Sequence, residues 1–391
     1  MIGTYMAIYF IEYAHLNNFQ LVILGTVFEV TIFLCEVPTG VVADVYSRKL
    51  SVTLSYLWAG AAFLITGLAT QFWLLALGAM VWGVSETFLS GAREAWIADE
   101  LAAVQPEVSA DQAFISGNQW GLVGRFIGVW VAFGLTFISL RAAVVGGAVA
   151  FLTLGLAYHF KATEEGFHRA PNHSHNLGDL VATLREGFAL IRGRAALVAV
   201  VLTTFFVGFS SEAMDRLWQK RFKDSFVLPQ IFGSPHGIWA LLQAGVMLGT
   251  FAVLAYVNKA KVELPQLKLL GVILTLVMAI AVGMLIFGTA PVLPLAVAAF
   301  FAVRISRRAL DPLLTAWLNR RAESKVRATV LSFAGQAHSF GEIICGPLLG
   351  GIAQLAGFRV SMFASSGLLF PAIPILMRRI TFVKSEDGSE S

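Results

Sequence analysis

The sequence predicts an all-α membrane protein whose twelve spanning helices form two six-helix halves. Hydrophobic residues make up 57% of the chain and charged residues only 13%, whereas soluble domains carry roughly 25% charged residues. Apolar stretches of about 20 residues, the length that crosses a bilayer, recur along the chain. A long polar stretch at 161–194 separates them into two groups. These three observations together favour a polytopic helical protein.

The predicted spans follow one another with short connections. Their bounds are 1–16, 20–42, 50–70, 72–98, 112–137, 139–160, 195–215, 236–257, 266–288, 291–317, 327–353 and 357–377. The first would reach only about 24 Å at 1.5 Å per residue, against a hydrocarbon core of about 30 Å. We therefore expect a first helix that is shortened at its N-terminus, through an upstream start or a truncated form, with an eleven-helix protein as the alternative.

The domain organisation follows from the same pattern. We expect an N-terminal half at 1–160, a cytoplasmic linker at 161–194, a C-terminal half at 195–379 and a cytoplasmic tail at 380–391. Ala95–Glu100, at the end of the fourth span, resembles Ala316–Arg321 at the end of the tenth. This similarity indicates two pseudo-repeats, the arrangement of many transporters.

The loop charges predict the topology. Lys and Arg cluster in alternate connections, beginning with Arg48 and Lys49, whereas the turns at 17–19, 71 and 289–290 carry neither. Because cytoplasmic loops are enriched in Lys and Arg, both termini are expected in the cytoplasm and the protein in the cell (plasma or inner) membrane. The net charge of +4 is explained by these loops, and no nucleic-acid partner is expected.

One short motif carries a family resemblance. Gly40–Lys49 reads Gly-Val-Val-Ala-Asp-Val-Tyr-Ser-Arg-Lys. It resembles the loop between helices 2 and 3 of the major facilitator superfamily, Gly-x-Leu-Ala-Asp-x-x-Gly-Arg-Lys, with Val42 and Ser47 as departures. The resemblance covers nearly the whole chain, is closest to the drug-efflux-like branch, and implies the major facilitator fold and alternating-access transport.

The resemblance also implies a conformational latch made of Gly40, Asp44, Arg48, Lys49 and Asp99. In the family, the loop aspartate caps the N-terminal end of helix 11, where backbone N–H groups favour an anion, and the loop arginine contacts an acid at the end of helix 4. Those roles would fall to Asp44, Arg48 and Asp99. Gly40 and Ala43, being small, are expected to let two helix ends approach closely.

Ionisable residues within the spans are candidates for a transport site, because a charge at bilayer depth costs about 2.5–3.5 kcal/mol on insertion scales. The candidates for the cavity and for proton coupling are Glu12, Glu29, Glu86, Arg304, Arg308 and Asp311. In the family, helices 1, 4, 7 and 10 line the central cavity. Arg304 and Arg308 need an acid partner, for which Glu86 and Asp311 are suitable, and a structural ion-pair network is an equally good interpretation.

Other charged positions have two interpretations. Glu212, Asp215 and Arg216 lie either in the cavity or at the outer surface, because the seventh span is predicted to end there. Arg125 and Glu342 occupy matching positions of the two repeats, and each is expected to form a structural pair with another charge.

Further residues within the spans are assigned to packing. His338, the lone histidine of its span, is interpreted as a packed or hydrogen-bonded residue. Asp311-Pro312 predicts a helix break, since Pro cannot donate a backbone hydrogen bond. Gly346, Pro347 and Gly350 form a small-residue face suited to close helix packing.

The expected function is secondary transport of a small organic molecule by alternating access, in the form of proton-coupled export of a drug or metabolite. The alternatives are a major facilitator importer or uniporter of a nutrient and, more remotely, a membrane enzyme or receptor.

The sequence contains no Gly-x-Ser-x-Gly, His-Glu-x-x-His or phosphate-loop motif. No catalytic residue, cofactor or metal is expected, and His173 and His175 are interpreted as solvated linker residues. The expected partners are the substrate, protons and the lipid bilayer, for a monomer.

Overall fold

The computed structural model describes residues 2–104, 107, 109–167, 185, 191–259, 265–321 and 327–389. Within these residues the chain forms α-helices and no β-strand. The first seven helices are α1 (Ile2–Glu12), α2 (Asn18–Val41), α3 (Arg48–Leu68), α4 (Phe72–Leu89), α5 (Ala92–Val104), α6 (Ala110–Thr136) and α7 (Leu140–Lys161). The next seven are α8 (Ala195–Ser225), α9 (Gly237–Lys259), α10 (Gln266–Thr289), α11 (Leu293–Arg321), α12 (Arg327–Leu355), α13 (Phe358–Leu369) and α14 (Ala372–Ser389).

The described residues include eight helical stretches that are long and apolar enough to cross a membrane. They correspond to α2, α3, α4 with α5, α7, α8, α9, α10, and α13 with α14. Two of the predicted spans are interrupted. Gly91 adopts a φ of 73°, a conformation that glycine adopts readily, and separates α4 from α5. Pro371, which has no backbone N–H, lies between α13 and α14. Twelve spans remain a prediction.

The helix break predicted at Asp311-Pro312 is wrong. Helix α11 continues through Pro312 to Arg321. A proline removes one backbone donor, the bond to the carbonyl four residues earlier, and the packing of α11 against α10 and α8 keeps the remaining turns helical. Arg304, Arg307 and Asp311 therefore project from a single continuous helix.

The chain divides into two compact units. Unit 1 contains Met1–Leu16, Val27–Leu180 and Gln230–Ala240. Its centre is α3, which packs against α4 and α7. Gly60 allows this contact, because a Cβ atom there would lie 2.5 Å from Cγ of Leu152. The fully buried Tyr9 donates its hydroxyl hydrogen to the carbonyl of Ala69, at 2.9 Å, and so fixes α1 at the end of α3.

Unit 2 contains Asn17–Thr26, Val181–Pro229 and Leu241–Ser391. Helix α8 packs against α12, and α10 packs against α11 and α13. Aromatic rings of α8, α10 and α11 form much of its interior, with the rings of Trp218 and Phe300 at 4.5 Å between centroids. The first turns of α2 pack on α12, where a Cβ atom at Gly350 would lie 2.9 Å from Cβ of Val22 and one at Gly346 would overlap Thr26 Oγ1.

Candidate functional site: an ion network in unit 2

Three helices of unit 2 bring seven ionisable side chains together. They are Glu212, Asp215 and Arg216 on α8, Arg304 and Arg307 on α11, and His338 and Glu342 on α12. We call this set the ion network. Glu342 lies about 22 Å from the start of α12, and Arg304 about 17 Å from the start of α11, at 1.5 Å per residue. Both distances place the network near the middle of helices that are 29 residues long.

Close helix packing positions the network. Helices α8 and α12 approach each other through two glycines that face the opposite backbone. A Cβ atom at Gly341 would lie 2.7 Å from the carbonyl oxygen of Phe205, and one at Gly208 would overlap the carbonyl oxygen of His338. Larger side chains at these positions would separate the helices and, with them, the polar groups of α8 and α12.

Asp215 joins α8 to α11. One of its carboxylate oxygens accepts a hydrogen bond from Nη1 of Arg304, and the other accepts one from Nη1 of Arg307. The two guanidinium groups lie one turn apart on α11 and therefore share a face. Their mutual repulsion is offset by the single carboxylate between them. The buried Nε of Arg304 has no hydrogen-bond partner among the described residues.

Glu342 joins all three helices. Its Oε1 accepts a hydrogen bond from the Ser211 hydroxyl at 2.9 Å, and lies 3.3 Å from Nε2 of His338 and 4.0 Å from Nη2 of Arg307. On the other side of the imidazole, Nδ1 lies 3.2 Å from the carbonyl oxygen of Thr204.

The two contacts of His338 require a proton between the imidazole and the carboxyl group. A carbonyl oxygen only accepts, so Nδ1 must carry hydrogen to bond with Thr204. In a neutral imidazole Nε2 is then an acceptor, and it faces another acceptor unless one of the two partners is protonated. A hydrogen bond between them therefore needs either an imidazolium with a carboxylate or a neutral imidazole with a carboxylic acid.

A second ion pair lies one turn earlier on α8. Nε of Arg216 donates to Oε2 of Glu212 at 3.1 Å, and the Glu212 side chain is only 1% exposed. This pair packs against Gly25 of α2, where a Cβ atom would lie 2.6 Å from Oε1 of Glu212. A glycine at position 25 leaves the space that the ion pair fills.

The proposed latch lies in unit 1. Val42–Tyr46 forms a π-helical turn between α2 and α3, with Asp44 half-buried in it. Arg48 forms an ion pair with Asp99 of α5 and donates a second hydrogen bond to the Ala95 carbonyl at 3.2 Å. The backbone N–H of Lys49 donates to Glu164 at 2.8 Å.

The close helix contact predicted for Gly40 and Ala43 is found at Ala43, which is buried against Val52 and Ala92. The part of the prediction that concerns Gly40 is wrong. Among the described residues, no atom apart from those of its chain neighbours and its own helix backbone would lie within 4 Å of a Cβ atom at Gly40.

Several predicted pairings differ from the observed ones. Arg304 pairs with Asp215 of α8, and not with Glu86 or Asp311, the two acids that the sequence suggested. Asp311 and Arg308 are exposed on α11. Arg125 is exposed on α6 and forms no ion pair with any residue the structure describes, because its position faces away from the packed helices.

The other candidates have separate surroundings within unit 1. Glu86 is exposed and accepts a hydrogen bond from Nε1 of Trp82, one turn earlier on α4, at 3.0 Å. Glu12, at the end of α1, lies 4.0 Å from Nε2 of His236. Glu29 is buried on α2.

Sequence reasoning missed the central place of Asp215 because it ended the seventh span at residue 215. Helix α8 continues to Ser225, so Asp215 and Arg216 lie well inside a helix and not at its end. His338 was expected to be packed or hydrogen-bonded, and it has partners on two helices. The sequence did contain a signal for this site. Charged residues at 212, 215 and 216, and again at 304, 307 and 308, are spaced three or four apart, which places each set on one face of a helix.

No family model matches the chain. It is 20% identical over 362 residues to the uncharacterized MFS-type transporter YxaM of Bacillus subtilis, covering 92% of this chain and 87% of that protein. Among solved structures, it is similar to the nucleoside transporter NupG, with a TM-score of 0.77, 12% identity, and coverage of 96% and 94% of the two chains. It is also similar to a POT family transporter in complex with a thioalcohol-conjugated peptide, with a TM-score of 0.73, 13% identity, and coverage of 98% and 93%.

The chain has the fold of the major facilitator superfamily. The fold predicted from the loop at Gly40–Lys49 is thereby confirmed. The proteins that resemble the chain are transporters and not enzymes. Within the major facilitator fold, the ion network occupies α8, α11 and α12, which correspond to the predicted seventh, tenth and eleventh spans.

Proposed function

We propose that the protein is a secondary transporter that exports a small organic molecule across the cell membrane by alternating access, in exchange for protons. The similarity to YxaM and to solved major facilitator structures supports transport in general. The Glu36–Gly40 stretch, which leads into the Gly40–Lys49 loop, resembles the corresponding sequence of the drug-efflux-like branch and supports export. In this proposal the protein acts as a monomer with both termini in the cytoplasm.

The single observation that carries proton coupling is the contact between His338 and Glu342. Because Nδ1 of His338 faces a carbonyl oxygen and Nε2 faces a carboxyl oxygen, one proton must lie between Nε2 and the carboxyl group for both contacts to be hydrogen bonds. Ionisable residues at membrane depth are functional-site candidates by default, and chains of Asp, Glu and His are typical of proton relays.

Proton loss from this pair would change the electrostatic attraction that acts on Arg307. The Nη2 atom of Arg307 lies 4.0 Å from Oε1 of Glu342, while its Nη1 is bonded to Asp215. When the His338–Glu342 pair loses its proton, its net charge becomes more negative and the attraction on Arg307 grows. Arg307 is then drawn from Asp215 towards Glu342, which leaves Asp215 and Arg304 with more freedom to contact a substrate.

Substrate and proton would compete for binding to the ion network. A polar substrate that contacts Arg304 or Asp215 changes the balance of charges on α8 and α11, and so changes the affinity of Glu342 for a proton. Such linkage is reciprocal, and it allows a ligand to shift the protein between conformations for which it has different affinities. In the proposed cycle, Asp44, Arg48, Lys49 and Asp99 latch one of these conformations, and Glu12, Glu29, Glu86 and Asp311 are further candidates for proton coupling.

The first test uses efflux-deficient bacteria that express the chain. Accumulation of a fluorescent cationic dye is measured with and without a protonophore. Lower accumulation that the protonophore abolishes supports export driven by protons. Unchanged accumulation, with the protein confirmed in the membrane, excludes broad export of such dyes. Uptake assays with nucleosides, peptides and organic anions then decide between a narrower exporter and an importer.

The second test addresses coupling in proteoliposomes with any substrate found. Glu342→Gln is expected to retain exchange of labelled for unlabelled substrate but to lose accumulation driven by a pH gradient, because the variant cannot release a proton. Asp224→Asn is the matched control, since Asp224 pairs with Lys220 near the end of α8 and lies outside the ion network. Gradient-driven accumulation that survives Glu342→Gln at the wild-type rate would exclude this carboxyl group as the proton carrier.

A further inference from the structure

Four residues that follow α7 hold two helix ends together. Thr163–Gly166 forms the beginning of the polar stretch between the predicted halves. Their backbone and side chains contact the start of α3 on one side and the end of α5 on the other. We call this segment the linker clasp. It touches the same two elements that the Arg48–Asp99 ion pair connects.

Glu164 binds the start of α3. Its Oε1 accepts the backbone N–H of Lys49 at 2.8 Å, and its Oε2 accepts the hydroxyl hydrogen of Ser47 at 2.5 Å. Ser47 is the N-cap of α3 and accepts the backbone N–H of Leu50 at 2.9 Å. The first N–H groups of a helix lack partners inside the helix, and they favour an anion. Glu164 therefore completes the cap from a distant part of the sequence.

Glu100 binds the clasp from the other side. It accepts the hydroxyl hydrogen of Thr163 and the backbone N–H groups of Glu165 and Gly166, the last two at 2.9 and 3.2 Å. Nε1 of Trp96 also donates to the carbonyl oxygen of Thr163 at 2.9 Å. The clasp is thus fixed to the last turns of α5 by four hydrogen bonds.

Gly166 permits this contact by its lack of a side chain. A Cβ atom at Gly166 would lie 2.5 Å from the carbonyl carbon of Asp99 and would overlap its carbonyl oxygen. The backbone of the clasp therefore rests directly on the residue whose carboxylate pairs with Arg48.

We propose that Glu164 is a positioning residue of the latch, which holds the turn that carries Asp44 and couples it to the linker. The Val42–Tyr46 turn ends at Ser47, whose hydroxyl is bonded to Glu164. A displacement of the linker that moves Glu164 consequently moves the start of α3 and the turn before it. The effect on transport rests on the proposed function, whereas the effect on the local structure does not.

The first experiment tests the local structure without transport. Backbone amide hydrogen exchange is measured on the full-length protein in nanodiscs, for peptides that cover positions 42–52. Glu164→Ala is expected to raise exchange at Lys49 about tenfold or more, since a hydrogen bond to a charged group is lost. Glu165→Ala is the matched control, because its side chain is exposed and, among the described residues, only the backbone of Glu165 is bonded. Equal exchange in the two variants would overturn the proposal.

A second variant disturbs the contact between Glu164 and the start of α3 without removing the carboxylate. Gly166→Ala keeps both carboxylates but places a methyl group against Asp99, so it is expected to displace the clasp and to raise exchange at Lys49 as Glu164→Ala does. Wild-type exchange in Gly166→Ala would show that the clasp does not control the start of α3, and would also overturn the proposal.

The transport experiment separates positioning from general damage. Glu164→Ala is expected to lower the maximal rate several-fold with an unchanged KM, because no clasp residue belongs to the ion network. Glu164→Gln, which keeps one acceptor, is expected to be intermediate, and Glu165→Ala to match wild type. A raised KM at wild-type maximal rate, or equal rates for the two alanine variants, would contradict the positioning role. If wild type moves none of the substrates tried, the proposed function fails, and the exchange experiment still decides the placement of Glu164.

Discussion

Arg216 of α8 lies directly against Gly25 of α2, so that a Cβ atom at position 25 would come within 2.7 Å of the guanidinium carbon. The same atom would lie 2.6 Å from Oε1 of Glu212. The Glu212–Arg216 ion pair is therefore enclosed by backbone on this side, and its geometry depends on the absence of a side chain at residue 25.

Gly25→Ala should accordingly destabilise the protein. The added methyl group would have to push apart α2 and the ion pair, and overpacking of this kind typically costs about 1–3 kcal/mol. Thermal unfolding in detergent measures the effect. Gly271→Ala on α10 is the control, because a Cβ atom there would have open space. Equal midpoints for the two variants would show that α2 adjusts without cost.

Asp215→Asn should disrupt the ion network. Arg304 and Arg307 would keep a hydrogen-bonding partner of similar shape but lose the negative charge between them. Removal of one member of a buried ion pair costs about 3–5 kcal/mol, and the partial exposure of these side chains places the expected loss at or below the lower limit. Asp224→Asn should leave both stability and transport unchanged. Transport by Asp215→Asn at the wild-type rate would argue against any role for the Arg–Asp contacts.

His338→Gln should flatten the dependence of transport on pH. Histidine is the side chain whose charge ordinarily changes between about pH 5 and 8, and glutamine does not titrate. The groups that face His338 are Glu342 on its own helix, Arg307 and Asp311 on α11, and the Thr204 carbonyl on α8. Initial rates between about pH 5 and 8 measure the effect. A pH profile that keeps the wild-type shape would assign the titration to another group.

Arg48→Ala should slow transport with little effect on stability. The Arg48–Asp99 pair lies at a partly exposed helix end, where ion pairs contribute about 0–1 kcal/mol. Arg48→Asp combined with Asp99→Arg should recover part of the rate, since the pair is restored with its charges exchanged. Arg93→Ala is the control, because Arg93 forms an exposed pair with its neighbour Glu94. If Arg93→Ala and Arg48→Ala transport equally well, the latch interpretation fails.

The general fold could be predicted because hydropathy and a ten-residue motif are local properties of the sequence. Helix ends and side-chain partners could not, because they depend on which helices pack together. The chain after Asp215 is polar enough to suggest a loop, yet Trp218 and Phe222 pack against aromatic rings of α10 and α11, and the helix continues to Ser225. Gly40 and Ala43 were both expected at a close contact because both are small, and only the packing of the helices shows that Ala43 makes it.

The charged helix α11 has a consequence for biogenesis. It is not among the eight stretches apolar enough to enter a membrane by composition alone, and each arginine near its centre would cost about 2.5–3.5 kcal/mol on insertion scales. Helix α10, the most apolar of the eight, immediately precedes and packs against it, and Asp215 is synthesised 89 residues before Arg304. Asp215 is therefore synthesised before the arginines and is available to pair with them when α11 is inserted. The order of synthesis in this way favours the insertion of α11.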